Sequence, residues 1–216
     1  MSNNKANVTV IDYGTGNLLS LKRAFEHVGA KVNITNDHKL ILNSSRVVLP
    51  GVGAYGKAMD ALKDLNLTES IISVAKKEIP FLGICLGMQL LLSESEEFGF
   101  NKGLNLIEGK VKSIRNVIKK NNVKLPHIGW NTLKKIEKIK LDEKNLLYNY
   151  NEKDSFYFIH SFASFPKNLN HRLFDTVYES IDLPAIIGYK NIYGFQFHPE
   201  KSGKTGLKLL EKFLKI

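Results

Sequence analysis

The feature that most constrains this chain is a unit repeated through its N-terminal half: a short apolar run, a glycine-bearing turn, then apolar residues at helical spacing. Val8–Asp12 enters Tyr13-Gly14-Thr15-Gly16-Asn17, after which Leu18, Leu21, Ala24, Phe25 and Val28 share a helical face. Gly29 ends that helix and Lys31–Thr35 reads as the next strand, completing a βαβ unit. Arg46–Leu49 runs into Pro50-Gly51-Val52-Gly53 and a helix marked by Ala58, Leu62 and Leu65, with Ile71–Lys77 continuing in helical spacing. Pro80–Ile84 runs into Cys85-Leu86-Gly87, followed by Met88, Leu90, Leu91 and Leu92 on a helix. Strands apolar on both faces and alternating with helices predict an α/β fold, a mostly parallel central sheet flanked by helices.

The second half predicts antiparallel additions to that sheet. Leu106–Val117 and Val123–Leu125 flank Lys119-Lys120-Asn121-Asn122, a hairpin-like signal, and Ser155–His160, Ala185–Tyr189 and Tyr193–Phe197 read as further strands. Gly206–Leu214 is an amphipathic terminal helix whose Leu and Phe stripe suits core packing. Neither a repeat nor a linker divides the chain, so residues 1–216 are read as one domain.

Composition removes several classes of function. The net charge of +10 raises nucleic-acid binding, but Arg23, Arg46, Arg115 and Arg172 are the only arginines, and base recognition favours the guanidinium. The lysines are scattered, and the densest groups, Lys119-Lys120 and Lys134-Lys135 with Lys138 and Lys140, read as solvated faces, so no nucleic-acid partner is expected. One cysteine excludes a disulfide scaffold and a thiolate zinc cage. The start, Met1 to Asn7, is polar and lacks a signal-peptide core, and no apolar run reaches the roughly 18 residues of a membrane span. A soluble cytoplasmic protein without membrane contact is the expectation, and no metal or redox cofactor is implied, because the histidines and carboxylates lack ligand spacing.

Gly83-Ile84-Cys85-Leu86-Gly87 sets the thiol between a strand and a helix with a glycine two residues away on each side, the arrangement of a nucleophile on a strained turn. The helix start behind it favours a thiolate. Taken alone, a cysteine in an apolar stretch is as readily a buried structural thiol. A thiol nucleophile needs a base and the base an orienting group. His198, at the end of Tyr193–Phe197 and followed by Pro199-Glu200, supplies both on one rigid turn, although it also fits a strand-end polar residue. Cys85, His198 and Glu200 are therefore the candidate triad. His27, in a helix, His38, in a loop, and His171 are read as surface residues. The glycines beside Val52 would let a backbone N–H turn toward an oxyanion, with the Leu86 N–H as second donor, and Gln89 lies one helical turn beyond Cys85.

G-x-C-x-G followed much later by H-P-E resembles the class I, triad-type glutamine amidotransferases. Within them the chain is similar to the glutaminase subunits of imidazole glycerol phosphate synthases over nearly its whole length. The matching strings are Asp12–Leu18, Pro50–Tyr55, Gly83–Leu91, Glu94–Glu97, Leu125–Asn131, Phe158–Phe162 and Gly194–Ser202, and Pro126-His127-Ile128-Gly129-Trp130-Asn131 is the discriminating one. The resemblance implies that Cys85 attacks the side-chain amide of glutamine, that N–H groups at Val52 and Leu86 hold the oxyanion, and that His198, steadied by Glu200, protonates the departing ammonia. It implies that Gly51, Gly53, Gln89, His160, Ser161 and Phe162 contact glutamine. The ammonia would pass to a partner, a (β/α)₈-barrel cyclase in a heterodimer, making imidazole glycerol phosphate and an aminoimidazole carboxamide ribotide in histidine biosynthesis.

By the same resemblance Asn17, Pro126, His127, Ile128, Gly129, Trp130, Asn131 and Lys201 form the partner interface, with Trp130 as its anchor; Trp130 would otherwise be a core residue. Turnover by the lone subunit is expected to be low, because the Gly51-Val52-Gly53 segment must turn a peptide to complete the oxyanion hole. Ala163-Ser164-Phe165-Pro166 and Ser180–Pro184 depart from the family pattern, which leaves room for a paralogue supplying ammonia to a sugar amidotransferase in surface-polysaccharide synthesis.

Overall fold

The computed structural model describes residues 6–119, 122–139, 146–148 and 150–216. The start through Lys5, and Lys120, Asn121 and Lys140 of the basic groups, lie outside the described residues. β1 (Asn7–Ile11), α1 (Leu18–His27) and β2 (Lys31–Thr35) form the expected βαβ unit, with β1 and β2 parallel and Val8 opposite Val32. Asn17 caps α1 by accepting from the Ser20 N–H at 3.3 Å. The next strand, β3 (Val47–Leu49), pairs in parallel with β1 on one side and with β4 (Phe81–Ile84) on the other. Between them the long helical stretch is two helices, α3 (Tyr55–Asp64) and α4 (Leu67–Lys76), divided at Asn66, whose φ is 56°. α5 (Leu86–Leu90) follows β4 with Cys85 alone between them.

The central sheet runs β2-β1-β3-β4 and continues through β14 (Ile192–Phe195), β13 (Ile181–Tyr189), β12 (Arg172–Tyr178) and β9 (Lys134–Lys135). β14 is parallel to β4, and the last three strands are the antiparallel additions. Pleat alternation sends Val48, Leu82 and Ile84 to one face, against Leu21 and Phe25 of α1 and Leu209, Leu210 and Phe213 of α7 (Gly203–Phe213). Val47, Leu49 and Phe81 go to the other, against Ala58, Leu62, Ile71 and Val74 of α3 and α4. A four-stranded sheet, β11 (Phe162–Pro166), β7 (Gly109–Ser113), β5 (Glu94–Ser95) and β6 (Asn101–Lys102), and an antiparallel pair, β8 (His127–Thr132) with β10 (Ser155–His160), lie beside it.

The structure corrects several local readings. Leu106–Val117 and Val123–Leu125 do not form a hairpin: β7 pairs with β11 and β5, and the chain turns into α6 (Ile114–Ile118), whose Ile114 and Ile118 lie one helical turn apart and pack with Val123, Ala163 and Leu183. His38 is exposed but opens a one-turn helix, α2 (His38–Leu42), capped by Asp37, and its Nδ1 lies 2.8 Å from Ser70 Oγ. His171 is half-buried against Tyr189 rather than at the surface. Of the segments that depart from the family pattern, Ala163–Pro166 lies within β11 and most of Ser180–Pro184 within β13, in the antiparallel half of the molecule.

Candidate active site

β3, β4 and β14 are adjacent and parallel, so their C-terminal ends open on one edge of the sheet, and all three candidate segments follow those ends. Cys85 follows β4 with φ 55° and ψ −111°, a backbone conformation that costs a non-glycine residue on the order of 1–3 kcal/mol. Close approach explains the elbow's second glycine. A Cβ on Gly87 would stand 1.8 Å from the Leu49 carbonyl oxygen, so any side chain there would push α5 off β3.

His198 lies three residues past β14, held by its N–H to the Tyr157 carbonyl (3.0 Å) and by its own carbonyl, which accepts from Ser202 Oγ at 2.6 Å. Pro199–Lys201 then form a 3-10 turn that brings Glu200 Oε1 to 2.8 Å from His198 Nδ1, with both side chains about 5% exposed or less. Nδ1 is thereby engaged and Nε2 left free toward the cavity that His198 lines together with Cys85. Burial opposes a charge on the ring, but the hydrogen bonds and charges of Cys85 and Glu200 together lift His198 from its usual 6.5 to about 10. The direction of the shift favours the charged ring, the form that can give up a proton.

Cys85, His198, Val52, Gly53, Leu86, Gln89, His160, Ser161 and Phe162 line one cavity of about 310 Å³, the small end of the range for ligand pockets. Gly51 stands behind this lining, where a Cβ would come within 2.5 Å of the Tyr13 hydroxyl. Of the two N–H groups expected to hold an oxyanion, that of Leu86 is already engaged. The Leu86 N–H donates to the Gly51 carbonyl at 3.3 Å. A trans peptide points its N–H opposite its carbonyl, so the Val52 N–H faces away from the Leu86 N–H. Tyr13 Oη, donating to the Pro50 carbonyl at 2.7 Å, holds the preceding peptide as well.

Three residues without an assigned role from sequence belong to the site. Glu97 lines the cavity and accepts the Tyr55 N–H, at the start of α3, at 2.6 Å. Ser202 fastens the His198 turn, accepting the Tyr157 N–H as well (3.0 Å). Gln196, fully buried beyond β14, directs Nε2 at the Cys85 sulfur at 3.9 Å. Its signal was a polar residue inside an apolar strand end, two positions before the histidine. Among the described residues no cluster of three His, Cys, Asp or Glu side chains could hold a metal ion, and no helix is long and apolar enough to cross a membrane.

Residues 9–216 match the family model described as glutamine amidotransferase class-I. The chain belongs to the class-I glutamine amidotransferases. It is 45% identical over 212 residues to the imidazole glycerol phosphate synthase subunit HisH 1 of Legionella pneumophila strain Paris, covering 98% of this chain and all of that one. Its identity to the HisH 1 subunit of Methanococcus maripaludis is 41% over 213 residues, 97% and 99% of the two chains. The solved structure of PurLQS from Thermotoga maritima shares the fold of this amidotransferase, with a TM-score of 0.73, 18% identity and 98% of each chain covered.

The residues expected at a partner face divide in two. Trp130 and Ile128 are each 56% exposed, and Asn17, Pro126 and Lys201 are exposed, so Trp130 is not a core residue; Gly129 is half-buried. His127 is buried, its ring stacked at 4.2 Å on Tyr178 and 5.2 Å on Phe158, and cannot touch a partner directly. Asn131 is half-buried with its amide turned inward to His127 and the Val177 carbonyl. Alternation along β8 is the reason: even-numbered residues face out and odd-numbered ones in.

Proposed function

We propose that this chain is the glutaminase subunit of an imidazole glycerol phosphate synthase, hydrolysing glutamine and passing ammonia to a cyclase subunit for histidine biosynthesis. The observation that carries the chemistry is that Cys85 and His198 line one cavity, with Glu200 hydrogen-bonded to the histidine behind it. The Cys85 thiolate attacks the side-chain carbonyl carbon of glutamine. His198 gives its Nε2 proton to the amide nitrogen as the C–N bond breaks, leaving a thioester and ammonia. Water then attacks the thioester while His198 takes its proton, releasing glutamate and restoring the thiolate. Glu200 stabilises the imidazolium in both halves. The carboxylate of Glu97 complements the α-ammonium of an amino-acid substrate, and Gly51, Gly53, Gln89, His160, Ser161 and Phe162 frame the remainder.

In the free subunit the Gly51-Val52 peptide must turn over before both Val52 and Leu86 can donate to the oxyanion. A lost oxyanion donor costs on the order of 10²–10³ in kcat, which sets the size of the expected activation. The partner reading rests on the names of the 40–45% identical relatives and on the exposed Trp130 and Ile128. Release of ammonia into water would lose it as ammonium, so a barrel cyclase seated over the Cys85 cavity is the fitting recipient. Complementation of a histidine auxotroph lacking its glutaminase subunit tests the assignment: growth with the wild type and none with Cys85→Ala is expected. Failure of the wild type to complement, with glutamine hydrolysis intact in vitro, would favour the sugar-amidotransferase paralogue. Equal glutamine turnover with and without the cyclase would refute the peptide turn.

A further inference from the structure

We infer that Gln196 is a positioning residue for the nucleophile, the last member of a buried polar chain whose hydrogen-bond polarity presents an N–H donor to the Cys85 sulfur, which as a thiol can itself donate to the Ile159 carbonyl at 4.0 Å. The chain is fixed from its far end. The Phe162 carbonyl can only accept, and it takes hydrogen bonds from Gln89 Nε2 at 3.2 Å and from His160 Nδ1 at 2.8 Å. Gln89 must therefore present its NH₂ group inward, and the second hydrogen of that group goes to Gln196 Oε1, also at 3.2 Å. With its oxygen committed to Gln89, Gln196 can offer the sulfur only its own NH₂ group, from 3.9 Å. Reversing Gln89 would set oxygen against oxygen, and reversing Gln196 would set its NH₂ group against that of Gln89.

Two functional consequences follow. An N–H donor aimed at sulfur favours the thiolate over the thiol and opposes rotation of the sulfur away from His198. Both Gln89 hydrogens are spent within the protein, so its oxygen is the group left to meet an N–H of the substrate. His160 belongs to the same construction: with Nδ1–H given to Phe162, its Nε2 faces His127 Nδ1 at 3.0 Å, so it steadies the carbonyl from which the chain starts. Gln196 itself is wholly buried, with its backbone N–H on the Ala185 carbonyl at 2.9 Å, so its side chain has no solvent alternative.

This inference deepens the glutaminase reading of the same site, and its test is made without glutamine so that the two can fail separately. The rate of Cys85 alkylation by iodoacetamide is measured against pH in the full-length chain, for the wild type and for Gln196→Met and Gln196→Glu. Loss of a hydrogen bond to a charged group is expected to raise the midpoint of that profile by about one pH unit in Gln196→Met, and Gln196→Glu raises it further. A folded variant whose midpoint equals the wild type's overturns the proposal. Should neither variant fold, the Gln196 side-chain NH₂ signals in the NMR spectrum of the wild type decide: they move on alkylation of Cys85 if the amide donates to the sulfur, and unmoved signals overturn the proposal.

Discussion

Acid should destabilise this protein through His160. The ring is buried, with Nδ1 donating to the Phe162 carbonyl and Nε2 facing His127 Nδ1 at 3.0 Å. Burial pushes its pKa from 6.5 down to about 3, against the pull of the Phe162 hydrogen bond and with added repulsion from His127 and His198. A folded-state pKa below the unfolded value means that the unfolded chain binds the extra proton, so the contribution to stability is present above about pH 6.5 and is lost as pH falls toward about 3. At about pH 4.5 the unfolded state is favoured by two pH units of protonation, or about 2.5 kcal/mol relative to about pH 7. His198 has the opposite sign. Its raised pKa gives stability that is complete below about 6.5 and is lost as pH rises through about 10. The test is His160→Asn, which keeps a donor near the Nδ1 position and does not titrate. Urea unfolding followed by far-UV circular dichroism at about pH 7 and about pH 4.5 gives the stability gap between wild type and variant, in which His198 and the carboxylates cancel. That gap should close by about 2.5 kcal/mol on acidification. A gap that stays constant would refute the account of His160 as a neutral buried imidazole.

Gly87→Ala places a methyl group 1.8 Å from the Leu49 carbonyl, with backbone on both sides; a loss of about 3 kcal/mol is expected, read as a fall in Tm of roughly 6–12 °C. Tyr13→Phe removes the hydroxyl that holds the Pro50 carbonyl and should raise glutamine turnover by the lone subunit several-fold, with turnover by the assembled enzyme little changed; an unchanged basal rate would show that the Leu86–Gly51 hydrogen bond alone holds the resting strand. Trp130→Ala, at an exposed position with an edge contact to Tyr157, should change unfolding stability by under about 1 kcal/mol yet weaken cyclase binding at least 30-fold or about 2 kcal/mol in a titration.

The parallel half of the fold was legible because its strands are buried on both faces and are written as unbroken apolar runs, Val47–Leu49 and Phe81–Ile84 among them. Cys85, His198 and Glu200 were legible because each sits beside a residue with a fixed backbone role, Gly83 and Gly87 in one case and Pro199 in the other. β12 escaped notice because Asp175 lies in its middle, satisfied by two hydrogen bonds from Arg172 three residues away, a pairing that local composition reads as loop. The inward turn of His127 escaped for a different reason: its partners, Phe158, His160 and Tyr178, come from β10 and β12, and nothing within β8 announces them. Gln196 shows the same limit from the other side. A glutamine in an apolar strand end must find partners if it is buried, but which partners depends on α5 and the turn after β4.

The strand order brings the three candidate segments together. Neighbouring strands stand about 4.8 Å apart, so segments following β3 and β14 are separated by about 10 Å and can converge only on a group held over the strand between them. β4 lies between them. A nucleophile at its end is within one strand spacing of both, which makes the turn after β4 the position from which Cys85 can meet His198 on one side and the Gly51-Val52 peptide on the other. The strained φ at Cys85 goes with the same placement, since a relaxed strand end would point the sulfur to one face of the sheet rather than out over its edge. Pairing β14 against β4 in the antiparallel sense would send His198 to the opposite edge of the sheet, and the hinge of the whole site is therefore the parallel register that sets Gly194 beside Gly83.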